Sequence, residues 1–204
     1  MRSGKISFFR WYVKTLRKQY KYAKMIHQIK KANPTVTIED DVVIISPQNL
    51  VLGEHVLIQK GTILHCGGKR WSNYQGKIIL GDDCQIGPYC ILYGAGGIEM
   101  KKGSGLAMGV RIIAQGADLN RFEGRDLSAS AIPMRFARVV IEEGVWVGAN
   151  AIILLGVTIS KGAGVSPGAI VHKDVPPFKK AMAAPARIFE PMPDGKLSRE
   201  EAGE

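Results

Sequence analysis

The sequence predicts an all-β solenoid of about six coils, preceded by an amphipathic helix and closed by a short C-terminal cap. Three observations carry this. An aliphatic residue recurs every six positions between Ile141 and Pro176, at Ile141, Val147, Ile153, Ile159, Val165 and Val171. Four positions after each stands a small or branched apolar residue: Val145, Ala151, Val157, Ala163, Ala169 and Val175. The same register can be followed back to Ile38, with interruptions. A helix would rotate such a set around its axis, and a strand face repeats every two residues, so neither holds a period of six. A coil of three short strands joined by tight corners does hold it, one aliphatic residue pointing inward from each side.

Residues 1–33 form a basic arm. Ten cations and no acid fall within the first 31 residues, from Arg2 to Lys31. The chain as a whole carries 28 basic and 18 acidic residues, so the remainder is neutral. Phe8, Tyr12, Leu16 and Tyr20 recur at four-residue spacing, which predicts a helix over 5–31. It ends before Asn33-Pro34, because the residue ahead of a proline is pushed out of the helical region. Cations break every apolar run, so the arm is no signal peptide, and no stretch of the chain is apolar enough to cross a bilayer. Two roles stand for it: a helix packed on the end of the solenoid, or an interfacial helix with its cations on anionic lipid. Nothing in the neutral body resembles a base-reading element, so no nucleic-acid partner is expected.

Residues 34–175 form the solenoid. Ile38 and Ile44 open it; Leu52, Ile58 and Leu64, then Leu80, Ile86 and Leu92, then Met100, Leu106 and Ile112 continue the aliphatic file. Val42, Val56, Thr62, Cys84, Cys90, Ser104 and Val110 are the small inward partners. Grouped by threes, the coils begin at Ile38, Ile58, Ile86, Leu106, Val147 and Val165. Four interruptions follow the second side of a coil, the long ones at about 65–77 and 113–138. They therefore stack along one edge of the prism, where a rigid scaffold would carry a site. Cys84 and Cys90 sit at inward positions and read as core thiols, the role of Cys66 being open. Odd cysteine number and unpaired spacing fit a reducing, cytoplasmic setting. No three histidines share a corner, so no metal site is expected.

The stretch VWVGANAIILLGVTISKGAGVSPGAIVHKDVPPF, followed by APARIF, resembles the closing signature of hexapeptide-repeat acyltransferases. These are left-handed parallel β-helix enzymes that include maltose, galactoside, serine and xenobiotic acetyltransferases. The resemblance spans residues 34–189 and, with GTILHCGG and the basic arm, is nearest to members that decorate surface-polysaccharide precursors. It implies a homotrimer with sites between subunits, acetyl-CoA or another acyl-CoA as donor, and a hydroxyl or amine acceptor, often on a sugar. The left-handed sense is implied by the resemblance alone. In the family a histidine follows a stretch like IIAQ, and here IIAQGADLN puts Ala117 in that slot, with Asp118 and Asn120 beside it. The cap reads Ala183-Ala184-Pro185-Ala186, without the family's usual glycine.

Acyl transfer from a thioester needs a base for the acceptor proton and an N–H donor for the oxyanion. Alanine cannot take a proton, so the chain is expected to be nearly inactive, either as a substituted form or as a naturally disabled relative. His27 lies on the arm, and His55 and His172 are expected to face solvent. His65 shares the insertion edge with Ala117 but two coils away, about 10 Å, too far for one shared hydroxyl. It is read as an acceptor-binding or structural residue. By resemblance, the donor site is Trp146, Gly148, Ala149 and Gly168, with Lys173, Lys180 and Arg187 for the phosphates; corner geometry and ordinary surface charge are the plainer accounts of the same residues. Lys69, Arg70, Trp71 and Tyr74, and in the long loop Arg121, Glu123 and Arg125, are acceptor candidates, each equally able to serve its own loop. The rival reading is a catalytically silent β-helix that binds a ligand or partner. A nucleotidyltransferase fits less well, since no nucleotide-binding domain precedes the repeat.

Overall fold

The computed structural model describes residues 2–68, 76–118, 132–184 and 187–189. A single long helix, α1 (Arg2–Ala32), opens the chain, and Asn33 closes it by donating backbone and side-chain N–H groups to Ile29 O. The first coil is β1 (Thr37–Ile38), β2 (Val43–Ile45) and β3 (Leu50–Leu52). The second is β4 (Leu57–Ile58), β5 (Ile63–His65) and β6 (Ile78–Leu80), and the third β7 (Gln85–Ile86), β8 (Ile91–Tyr93) and β9 (Ile98–Met100). The fourth coil begins with β10 (Gly105–Leu106) and β11 (Arg111–Ile113). It then leaves the prism as β12 (Gln115–Ala117) and β13 (Met134–Phe136) before returning in β14 (Val139–Ile141). The fifth is β15 (Trp146–Val147), β16 (Ile152–Ile153) and β17 (Thr158–Ile159); the sixth is β18 (Gly164–Val165) and β19 (Ile170–Val171), closed by a bridge from Val175 to Ile159. The cap adds β20 (Lys180–Met182) and β21 (Arg187–Phe189).

Each side of the prism is one parallel sheet. The first side runs β1-β4-β7-β10-β15-β18-β20, with β21 returning antiparallel at its end. The second runs β2-β5-β8-β11-β16-β19 and the third β3-β6-β9-β14-β17. The register sets like on like: Ile38, Ile58, Ile86, Leu106, Val147, Val165 and Ala181 stack in one file. These inward residues and their small partners are buried, including Thr62 and Ser104, whose hydroxyls donate to Gly87 O and Lys101 O. A buried hydroxyl without such a partner would cost stability, so both positions are satisfied from within the coil.

Two details differ from the six-residue expectation. Leu52 is only half-buried, because coil 1 has no coil beneath it. Three of the five third-side strands bury two residues each, adding Ile78, Ile98 and Val139 to the file, since β6, β9 and β14 are three residues long and alternate. The open edge of coil 1 is covered by α1. Met25, Ile26 and Ile29 pack against the core, the Tyr22 hydroxyl donates to Val42 O, and Ile44 N–H donates to Tyr22 Oη at 3.1 Å. Val42 O and Ile44 N–H, which a preceding coil would have paired, are thus both met by one side chain.

Candidate functional site

All four insertions leave from the end of the second side. Along that edge His65, Tyr93 and Ile113 are neighbours in register, with Ile45 below them. The rings of His65 and Tyr93 lie 5.5 Å apart, tilted by 31°. His65 Nδ1 is shielded from solvent with no hydrogen-bond partner among the described residues. The returning chain runs close to its neighbours: a Cβ at Gly76 would meet Gly94 O at 2.7 Å, and one at Gly96 would meet Ala114 O at 2.0 Å. Glycine is needed there for close backbone approach.

Ala114 is the last buried residue of the fourth coil's second side. Beyond it the chain forms a hairpin base rather than a plain loop. Gln115, Gly116 and Ala117 pair antiparallel with Phe136, Arg135 and Met134, and Asp118 N–H donates to Pro133 O at 2.8 Å. This lifts Ala117 off the prism wall, exposed, while Gln115 Oε1 is buried without a partner among the described residues. Two strand spacings, about 10 Å, separate the His65 and Ile113 positions, and Ala117 lies four residues beyond Ile113 on the hairpin.

On the first side, the outward residues of successive coils are Gly105, Trp146, Gly164 and Lys180. The indole of Trp146, 54% exposed, lies over Gly105, where a Cβ would stand 2.5 Å from its ring. Gly164 is left bare between Trp146 and Lys180; a Cβ there would meet only Lys180 Cγ, at 3.9 Å. Arg187 sits on β21 opposite Met182, exposed. Gly148 is buried, Ala149 is half-buried, and Gly168 is exposed at the corner, its N–H donating to Ala149 O at 2.8 Å.

No family model matches the chain. Over 61 residues it is 43% identical to the bifunctional protein GlmU of Rubrobacter xylanophilus, covering 30% of this chain and 13% of that protein. Over 78 residues it is 37% identical to a 2,3,4,5-tetrahydropyridine-2,6-dicarboxylate N-acetyltransferase of Enterococcus faecalis, covering 38% of this chain and 34% of that one. The chain thus spans about a third or less of the curated relatives it matches. Among solved structures it is similar to AntD, an N-acyltransferase from Bacillus cereus in complex with dTDP and coenzyme A. The match has a TM-score of 0.68 and 23% identity, over 80% of this chain and 88% of that one. A maltose O-acetyltransferase from Clostridium difficile matches with a TM-score of 0.52 and 22% identity, over 76% and 65%. The fold is the left-handed parallel β-helix that the chain shares with these acyltransferases.

Within this hexapeptide-repeat fold the residues singled out from the sequence do not gather at one place. Trp146, Lys180 and Arg187 share the first side, Ala149 and Gly168 the first corner, whereas Lys173 stands after the second side, exposed, on the insertion edge. Gly148 has a packing reason of its own, since a Cβ would meet Pro167 N at 2.6 Å. Lys69, Arg70, Trp71, Tyr74, Asn120, Arg121, Glu123 and Arg125 lie outside the described residues. Sequence reasoning missed Gly164 and Tyr93. Gly164 had a legible signal, as the residue just before a first-side aliphatic, the outward position that Trp146 also holds.

The three cysteines are buried and free, which answers the open role of Cys66. Burial pushes the Cys66 thiol up to about 12 and Cys90 up to about 11. Cys84 is raised too, its S–H directed at Lys101 O, 3.2 Å away. A thiol so protonated is a poor nucleophile, and these are core groups. His27, His55 and His172 are exposed, with His55 Nδ1 3.6 Å from Asp83. Among the described residues no three His, Cys, Asp or Glu side chains gather as a metal would require.

Proposed function

We propose that this chain is an acyl-CoA-dependent O-acyltransferase, with acetyl as the acyl group, acting on a sugar or surface-polysaccharide precursor. It works as a homotrimer in the cytoplasm, with sites between subunits and the basic arm toward the inner face of a membrane. The observation that carries the reading is the hairpin at the insertion edge, which presents position 117 outward from a rigid wall. A solved AntD structure, 25% identical over 76% of this chain, binds dTDP-4-amino-4,6-dideoxyglucose and coenzyme A, which supports a sugar acceptor and a CoA donor here.

In this reading the donor lies along the C-terminal coils. Trp146 and Lys180 border the bare strip at Gly164, and Ala149, Gly168 and Arg187 complete the wall. Lys180 and Arg187 meet the phosphates, Lys173 standing round the second side from them. The acceptor lies at the insertion edge, held by His65 and the loop residues Lys69, Arg70, Trp71, Tyr74, Arg121 and Arg125. Its hydroxyl must lose a proton as it attacks the thioester carbonyl, and backbone N–H groups must receive the oxyanion. Asp118 and Asn120 flank the position from which a base would act, but Ala117 carries no base. The chain as it stands therefore binds donor and turns over slowly or not at all. That same residue favours the second reading, a silent β-helix that binds ligand without chemistry.

The deciding experiment is Ala117→His, followed by thiol release from acetyl-CoA over a panel of sugars, amino sugars and their nucleotide derivatives. A positioned imidazole should raise the rate by about 10²- to 10⁴-fold. A variant as inactive as the parent over the whole panel removes the enzyme reading and leaves the silent one. Calorimetry of the parent should show CoA binding; if it shows none, the donor site is wrong.

A further inference from the structure

The proposed function turns the N-terminal helix toward a membrane, and the faces of that helix bear on how it would meet one. Its C-terminal half is held on coil 1 by Tyr22, Met25, Ile26 and Ile29. At roughly 100° per residue these four positions form one stripe of the helix. Tyr12, Leu16 and Tyr20 fall on a different stripe, about 130° away, and they are 47%, 45% and 70% exposed. Arg10, Lys14, Arg17, Lys21 and Lys24 form a third stripe, about 80° wide, centred about 120° from the apolar one and about 110° from the docked one, and all five are exposed. Together the two stripes span about 200° of the helix, centred almost opposite the docked face, with Lys14 at the edge nearest that face.

Two physical facts bear on what covers that sector. Like charges four residues apart weaken a helix in water, and here Arg10–Lys14 and Arg17–Lys21 are such pairs with no acid anywhere in the first 31 residues. The compensating charge must come from outside the arm. Large aromatic and aliphatic side chains beside a cationic stripe match an interface where headgroups carry negative charge and acyl chains begin. A free polyanion would satisfy the cations and leave Leu16 and Tyr20 in water.

We propose that α1 docks the protein onto an anionic lipid surface, lying flat between that surface and the open end of coil 1. Tyr12, Leu16 and Tyr20 enter the headgroup layer, and Arg10, Lys14, Arg17, Lys21 and Lys24 meet lipid phosphates. The solenoid then stands on its coil 1 end, and of the two long insertions the one after His65 is nearer the lipid. Placed there, the acceptor edge would meet substrates displayed on the membrane. Only this last step rests on the proposed function; the docking needs neither CoA nor acceptor.

The full chain is tested by co-sedimentation with vesicles of phosphatidylcholine alone and of phosphatidylcholine mixed with phosphatidylglycerol. Binding is expected to the mixed vesicles only, and to fall as salt rises. Each cation at an anionic surface contributes about fivefold, so combined Lys14→Gln, Arg17→Gln and Lys21→Gln should weaken binding about a hundredfold. Leu16→Glu with Tyr20→Glu should abolish it while thermal stability and oligomeric state stay those of the parent. Equal binding to both vesicles, or none to either, overturns the proposal. So does a change of oligomeric state in the Leu16/Tyr20 variant, which would make this face a contact between copies. Loss on removing the cations alone, with duplex DNA competing, would make it a polyanion site instead.

Discussion

Gly148→Ala tests whether that glycine is set by the packing of the coils. An added Cβ would stand 2.6 Å from Pro167 N, 2.7 Å from Pro167 Cδ and 2.8 Å from Val165 O. Relaxed contacts of this kind lie near 3.5–4.0 Å, so the overlap approaches about 1 Å. None of the three atoms belongs to a rotatable side chain. Relief requires coil 6 to move away from coil 5, which also stretches the 2.8 Å bond from Gly148 N–H to Val165 O. Overpacking of this sort costs about 1–3 kcal/mol, and the weakened bond up to about 1 kcal/mol more. A total of about 1–4 kcal/mol should lower Tm by roughly 2–16 °C for a chain of this size. Gly105→Ala also creates a 2.5 Å contact, but with the exposed Trp146 ring, which can turn away at a cost of about 1 kcal/mol or less. Gly164→Ala meets nothing closer than 3.9 Å and should keep or slightly raise Tm. Thermal melts of the three variants should therefore rank Gly164→Ala highest and Gly148→Ala lowest. A Gly148→Ala protein that melts with the parent would refute the packing argument, and the donor site would again be the better reason for that glycine.

Two further outcomes follow from the same contacts. Cys66 and Cys90 are raised from an ordinary value of 9.0 to about 12 and about 11 by burial. A group whose folded value is raised stabilises fully below the unfolded value, so this contribution is complete below pH 9 and is lost as pH climbs toward 11–12. Alkaline unfolding should coincide with the first reaction of these thiols with a disulfide reagent, and reaction at pH 8 in the folded protein would contradict their burial. Tyr22→Phe removes the hydroxyl that serves both Val42 O and Ile44 N–H. A loss of about 1–2 kcal/mol in urea unfolding and faster proteolysis within α1 are expected. Unchanged proteolysis would mean that the apolar contacts alone hold the helix.

The prism was legible because its burial rule is local. One inward aliphatic residue per side, with a small residue two positions before the next, writes the same six letters into every coil, and the register of Ile58, Ile86 and Leu106 follows directly. Ile78, Ile98 and Val139 escaped because each enters the third side straight after an insertion, where the six-residue count restarts. The site was less legible for a different reason. Gln115-Gly116-Ala117 has no strand pattern, and its partner Met134–Phe136 lies beyond a long insertion, so pairing between them is fixed by closure and not by composition. Lys173 and Lys180 are seven residues apart in sequence and stand on different sides because the cap inserts its own turn between them.

The first corner of each coil shows how glycine placement bears on the proposed donor site. A left-handed backbone recurs there in successive coils, and glycines alternate with residues that carry side chains. Tyr89 lies over Gly61, where a Cβ would stand 2.4 Å from its ring, and Asn150 lies over Gly109 at the same distance. Each glycine is there twice over, for its positive φ and for the side chain stacked on it from the next coil. Gly168 continues the series with φ +71°, yet a Cβ added to it would meet nothing within 4 Å. The next residue of the file, Ala183, has φ 72° and stacks on coil 6 through Ile170 N–H to Ala183 O, but its methyl leaves Gly168 uncovered. Alanine at this corner therefore leaves open space above Gly168, beside Ala149, where the proposed donor would run. Ala183→Tyr should close that space in the way Tyr89 closes Gly61, so it would weaken CoA binding in calorimetry without lowering Tm. An affinity equal to the parent's would move the donor off this corner.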